Sequence, residues 1–315
     1  MTPDLAPAPR SPLTRAFAAD SLHGVRRRRA ALGYLFLLPS LGGIAVFVAI
    51  PIVASLVLSL FRWNMIRPPE FIGLDNYTRL IGDARLLTTF VNTAVFVVLA
   101  VALQLSLALF LALGLQRRMP NWLRTLLRAS YVFPLLTSAA SISIVLSYMF
   151  SESFGIVNYY LGLLGIEPIA WLNSSRWALV AVALAFVWHQ LGFTFLILLG
   201  GVANLPQDVL DAADLDGARG WTRLRRVIVP LMSPSLLVAS VIGFISAMQV
   251  FDQPFVMTQG GPGDSSRTVV MAIYDAAFRN LDLGYGAAIS VVLFAVIMLL
   301  TAVQFRLSNR WVHYQ

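Results

Sequence analysis

Trp188, His189 and Gln190 stand side by side in an apolar run, and Gln249, Asp252 and Gln253 flank the end of another. An indole face beside imidazole, amide and carboxylate groups suits the recognition of a polyhydroxylated ligand, one surface covering C–H groups while the others hydrogen-bond hydroxyls. A structural role competes at each position. In a membrane His189 or Gln190 can bond a neighbouring helix, worth about 0.6 kcal/mol on average, and Asp252 can stay hydrated or pair with an arginine. Asn92, Ser143, Ser147 and Tyr148 are weaker candidates, because small polar groups at helix contacts also serve as packing devices. Bond-breaking chemistry finds no such grouping. His23, His189 and His313 are far apart, cysteine is absent, and no Ser-His-Asp or paired-carboxylate set assembles without arbitrary choice, so neither metal site nor hydrolase centre is indicated. All 23 basic residues are arginine, which excludes a Walker A lysine, a kinase lysine and a Schiff-base lysine. The stretch "TQGGPGDSS" lacks Gly-Lys-Ser/Thr and follows no strand, so it reads as a Gly/Pro turn and not as a phosphate cradle.

The elements that position these groups follow from composition. With 58% hydrophobic and 12% charged residues, the chain is far less charged than a globular domain at about 25%. Six uncharged runs reach the roughly 20 residues needed to cross a bilayer: 30–61, 86–116, 129–151, 177–207, 227–251 and 283–305, trimmed at their ends. They lack the alternation of barrel strands, and a helix satisfies its own backbone in lipid, so the chain is expected to be an all-α integral membrane protein with six transmembrane helices. Residues 153–166 are too few to span and are expected to lie at the interface, with Pro168, Trp171 and Trp177 as headgroup anchors. With the N-terminus inside, the cytoplasmic segments hold 16 of the 23 arginines, so both termini are expected in the cytoplasm. The net charge of +8 belongs to this topology and not to a nucleic-acid surface. Residues 1–29 read as a disordered tail, 30–305 as the membrane domain and 306–315 as a short cytoplasmic tail. The first apolar run is too long for a signal h-region.

"DAADLDGARGWTRLRRVIVP", residues 211–230, falls on this topology in a cytoplasmic loop between spans four and five. It reads as a helix pair. Pro206 suits a first helical position, Asp208 and Asp211 lie near the positive end of the first helix dipole, and Gly217 is a C-terminal stop. A second helix is expected from Gly220 or Trp221, with Arg223, Arg225 and Arg226 toward its C-terminal end and Pro230 and Pro234 breaking the chain before span five. Ala212 and Ala213 leave one face open to close approach.

The stretch resembles the EAA loop of ABC importer permeases, whose pattern is Glu-Ala-Ala, three residues, Gly, nine residues and Ile-x-Leu-Pro. Here Asp211-Ala212-Ala213, Gly217 and Val227-Ile228-Val229-Pro230 keep that spacing, with Asp for Glu at 211, Val for Ile at 227 and Val for Leu at 229. "VWHQLGFTFLILLGGVANLPQDVLDAADLDGA", "FDQPFVMTQGGPGDSSRT" and "FIGLDNYTRL" are similar to the carbohydrate branch of that family, the maltose and glycerol-phosphate type. The resemblance implies a MetI-like, type I importer permease with no catalysis of its own. It implies assembly with a second permease subunit in a heterodimer, two cytoplasmic ATPase subunits that carry ATP and Mg, and an extracytoplasmic solute-binding protein, in the bacterial or archaeal inner membrane. Asp211, Ala212, Ala213, Asp216, Gly217 and Pro230 are then expected to couple to the ATPase, and Trp188, His189, Gln190, Gln249, Asp252 and Gln253 to line the substrate pathway. None of the six runs contains a basic residue, which leans toward a neutral mono- or oligosaccharide over glycerol-3-phosphate or another polyol derivative. A self-contained secondary transporter would call for an internal repeat and mid-membrane carboxylates, neither of which is evident.

Overall fold

A computed structural model describes residues 32, 34–116 and 119–309. The expected N-terminal tail and most of the expected C-terminal tail lie outside these residues; residues 306–308 continue the last helix. The chain separates into two units, residues 1–57 and 58–315. Helix α1 (Tyr34–Leu58), which belongs to the first unit up to Val57, is long and apolar enough to span a membrane. It carries a π turn over Ala45–Ala49, one residue before Pro51 enters the following α-helical turns. Proline has no N–H to donate and its ring crowds the preceding turn, so a widened turn there keeps the helix continuous.

The second unit holds the remaining spans. A two-residue ribbon pairs β1 (Phe61–Arg62) antiparallel with β2 (Glu70–Phe71), and the short α2 (Asp75–Gly82) follows. Three long helices, α3 (Ala84–Gly114), α7 (Ala178–Ala203) and α13 (Leu283–Ser308), each exceed a bilayer crossing, while α10 (Ser233–Met248) and α11 (Asp252–Met257) together make a fourth span and the short α12 (Val269–Tyr274) precedes α13. α3 and α7 pack along one another through buried alanines, among them Ala100, Ala108, Ala181 and Ala185, with Phe96 edge-on to Phe186 at 5.3 Å. Small residues let the backbones approach, which is how helices associate where lipid removes the hydrophobic drive. Gln104 of α3 is buried in this seam and donates to the Thr194 hydroxyl at 2.5 Å and to the Gln190 carbonyl at 3.3 Å.

The expected third span, 129–151, is not one straight helix. α4 (Asn121–Val132) runs into a 3₁₀ turn over Phe133–Leu136, and α5 (Ala139–Met149) restarts beyond Ser138, the two arms meeting at 107°. Pro134 at the turn and the extended backbone of Thr137 and Ser138 account for the break. The freed Thr137 carbonyl faces His189 Nε2 at 3.2 Å. Non-helical backbone at membrane depth persists where protein re-satisfies it. Gly192 completes the join, since a Cβ there would sit 2.4 Å from the Tyr131 carbonyl oxygen.

Two further expectations change. Residues 156–163 form the eight-residue α6 (Ile156–Leu163), too short to span as expected, yet Trp171 is buried and not a headgroup anchor. Its indole donates to Asn158 Oδ1 at 2.9 Å, and its ring meets Phe150 and Trp177 edge-on. Pro230 also fails to stop its helix. A π turn over Leu224–Ile228 precedes it, as at Pro51, and residues 220–231 stay helical until Met232, where a single turn residue leads into α10.

Candidate functional site

The 206–231 segment is a helical hairpin. α8 (Gln207–Leu215) begins after Pro206 with Asp208 in its first turn and ends at Asp216, where Ala218 N–H reaches the Ala213 carbonyl at 2.9 Å. That wrap needs a left-handed residue, and Gly217 supplies it at φ +74°. α9 (residues 220–231) then turns back, tied to α8 by Arg223 and Asp214 at 2.8 Å. On α8 the helical period puts Asp208, Asp211, Ala212 and Leu215 on one exposed face, with Leu215 at 90%, while Ala213 is buried against the chain. Asp211 accepts from Gln207 Nε2 at 2.9 Å, one turn earlier, so its carboxylate is steadied but open. Trp221 is 72% exposed. An apolar leucine and a tryptophan standing clear of the fold, beside carboxylates and a bare Ala212, make a surface that another protein can cover.

The expected pathway residues do not form one group. Trp188 is partly exposed on α7, but the His189 ring turns inward to the α4–α5 break, which is the packing role. The Gln190 backbone is engaged by Gln104, a polar residue inside run 86–116 that sequence reasoning passed over. Gln249, Asp252 and Gln253 gather where α10 ends and α11 begins, inside the fourth span of this unit and not beyond its end. There Gln249 and Asp252 are exposed and Gln253 is buried. Thr268 donates to the Val250 carbonyl freed by this interruption, at 3.0 Å.

At the opposite end of α3 from the hairpin, the Gly/Pro turn is fastened down. Arg85 grips Asp264 with two hydrogen bonds, at 2.7 and 2.8 Å, and Asn92 donates to the Asp264 carbonyl at 2.6 Å. Arg267 lies against Asp264 at 3.7 Å and pairs with Asp275, which Arg279 meets at 3.1 Å. The Arg85 hydrogen bonds, with the charges of Arg85 and Arg267, outweigh burial and hold the Asp264 carboxyl below its ordinary range. Left-handed backbone at Gln259, Gly260, Gly263 and Asp264 folds the stretch into a turn.

Residues 104–313 match the model of the binding-protein-dependent transport system inner membrane component family. The chain belongs to that family. The match takes in the last third of α3, the hairpin and every later span, and the family is one of transport components. The chain is 35% identical to the sulfoquinovosyl glycerol transport system permease protein SmoG of Agrobacterium fabrum, over 88% of this chain and 90% of that protein. It is 34% identical to the trehalose/maltose transport system permease protein MalF of Thermococcus litoralis, over 90% and 96%. A chain of a bacterial alginate ABC transporter, crystallised in complex with an alginate pentasaccharide-bound periplasmic protein, superposes with a TM-score of 0.77 at 19% identity, over 90% of this chain and 96% of that one. At that identity the likeness is one of fold. The chain is therefore a multi-pass membrane protein with the importer permease architecture.

Proposed function

We propose that this chain is one permease half of an ATP-driven importer, carrying a sugar delivered by an extracytoplasmic binding protein, with both termini cytoplasmic. The observation that carries the reading is the exposed Asp208, Asp211, Ala212 and Leu215 face of a helix stopped at Gly217. Asp211, Ala212, Ala213, Asp216, Gly217 and Pro230 form the coupling hairpin for an ATPase subunit, with Pro230 acting through the π turn that keeps α9 continuous. A second permease completes the pathway, and nucleotide and Mg reside on the ATPase chains. A short helix held in a groove transmits motion when its contacts differ between the two states of the assembly.

The sugar assignment is supported by the relatives named for sulfoquinovosyl glycerol and for trehalose/maltose transport. Trp188, Gln249, Asp252 and Gln253 remain the pathway candidates, with Gln190 secondary and His189 a positioning residue at the α4–α5 break. The lack of basic residues within runs 86–116 to 283–305 favours a neutral sugar.

The test is purification of the tagged chain from its native membrane, with and without Asp211→Arg, followed by mass spectrometry and an ATPase assay. A second permease and an ATPase should accompany wild type, and the ATPase should be lost with Asp211→Arg. A chain that purifies alone and moves solute in liposomes without ATP would overturn the proposal.

A further inference from the structure

A groove of about 1280 Å³ opens under the hairpin, between the last turns of α3, the end of α7 and the inner side of α9. It exceeds the roughly 300–1,000 Å³ of small-molecule pockets. Its walls are apolar along Leu109, Phe110, Leu113, Val202 and Ile228. At its rim stand Trp221, Arg223 and Arg225. Arg223 is engaged by Asp214, but among the described residues Arg225 has no ion-pair partner, and it is exposed. The Asp211, Ala212 and Leu215 face of α8 points elsewhere, because only Gln207 and Leu210 of that helix line the groove.

We infer that this groove is a binding site for an anionic phospholipid, its acyl chains against the α3 and α7 termini and its phosphate against Arg225, with Arg223 beside it. Two observations favour a lipid over a protein segment. The walls are the ends of two membrane-spanning helices, where lipid is the surrounding medium. The free cation at the rim complements an anionic headgroup, and basic pockets between membrane helices recognise such headgroups. The inference rests on the membrane placement of these helix ends and not on the docking of an ATPase to α8.

The test is native mass spectrometry of the full chain, purified with whatever subunits accompany it, titrated with phosphatidylglycerol and with phosphatidylcholine of the same acyl chains. Wild type should prefer phosphatidylglycerol, and Arg225→Gln should weaken that preference roughly fivefold, the effect of about one basic residue near a membrane surface. Arg226→Gln, exposed but not lining the groove, should leave it unchanged. Gly114→Trp should abolish retention of both lipids, since Gly114 lines the groove and an added Cβ meets nothing within 4 Å. Equal binding of the two lipids would overturn the site, as would an Arg226→Gln loss equal to that of Arg225→Gln. So would a photo-crosslinker at Leu113→Cys that joins a neighbouring subunit instead of lipid. If Arg225→Gln fails to assemble, the wild-type titration and Gly114→Trp decide the matter.

Discussion

The two ends of α3 are built on opposite terms. At the Ala84 end, Arg85, Asn92 and Thr93 reach across 172 or more residues of sequence to Asp264 and Val269, and Arg79 bonds Asp282 at 2.7 Å, so loop and helices are cross-tied before any partner arrives. At the Gly114 end, the α8–α9 hairpin is held to itself by Asp214 and Arg223 and presents Leu215 and Trp221 unpartnered. A tied end resists motion. An open hairpin can take its geometry from whatever grips it, which suits an element that must follow another subunit between two states.

The largest expected effect breaks the tied end outright. A Cβ at Gly284, in the first turn of α13, would lie 1.9 Å from the Phe61 carbonyl oxygen, with Asn76 Nδ2 at 3.3 Å. Backbone cannot yield as a flexible side chain does, so Gly284→Val should cost about 3 kcal/mol or more. Thermal unfolding of the purified protein would read it as a large drop or as loss of folded material.

Leu215→Glu sharpens the contrast from the other side. The side chain touches solvent, so stability should move by less than about 0.5 kcal/mol. Binding-protein-stimulated ATPase activity of the assembled importer should fall tenfold or more, because burying an unpaired carboxylate in a docked interface costs several kcal/mol. A stability loss with unchanged activity would reverse the roles assigned to the two ends.

Much of this arrangement was legible in the sequence, and the exceptions share a cause. Runs 86–116, 177–207 and 283–305 became α3, α7 and α13, because a long uncharged stretch has few alternatives in lipid. Gly217 was readable as a helix stop because local geometry demands its left-handed φ. What could not be read were effects decided by tertiary partners. Pro134 breaks its helix and Pro51 and Pro230 do not, and the difference lies in a π turn in two cases and a His189 partner in the other. Trp171 looked like an interface anchor until Asn158, 13 residues away, claimed its N–H. The Arg85 and Asp264 pair, 179 residues apart, left no local trace.

A smaller effect should follow Arg85→Ala. The Arg85 side chain is 61% exposed, so even a two-pronged pair contributes only about 1 kcal/mol. Global unfolding should therefore shift little, while the turn over residues 258–268 becomes a preferred site of proteolytic nicking. The hairpin at the far end of α3 should be cut at the same rate as in wild type. Equal loosening at both ends would mean that the tie is not local.

The smallest effect is a pH dependence, and its sign follows from Asp264. Its carboxyl is held below the ordinary value of 3.8 by the Arg85 hydrogen bonds first, against burial, with help from the Arg85 and Arg267 charges. A depressed folded value means that the unfolded chain takes up the proton more readily. The contribution is thus fully present above pH 3.8 and is lost as pH falls through the lower folded value. Protection of the 258–268 turn from a protease active in acid should persist as pH drops below 3.8 in wild type. In Arg85→Ala the carboxyl loses its principal partner, and the same loss of protection should move to higher pH. The 206–231 hairpin, probed in the same digest, should show no step attributable to this pair. Coincident steps at the two ends would tie the hairpin to the turn through α3 and make the molecule one lever instead of a fixed end and a free one.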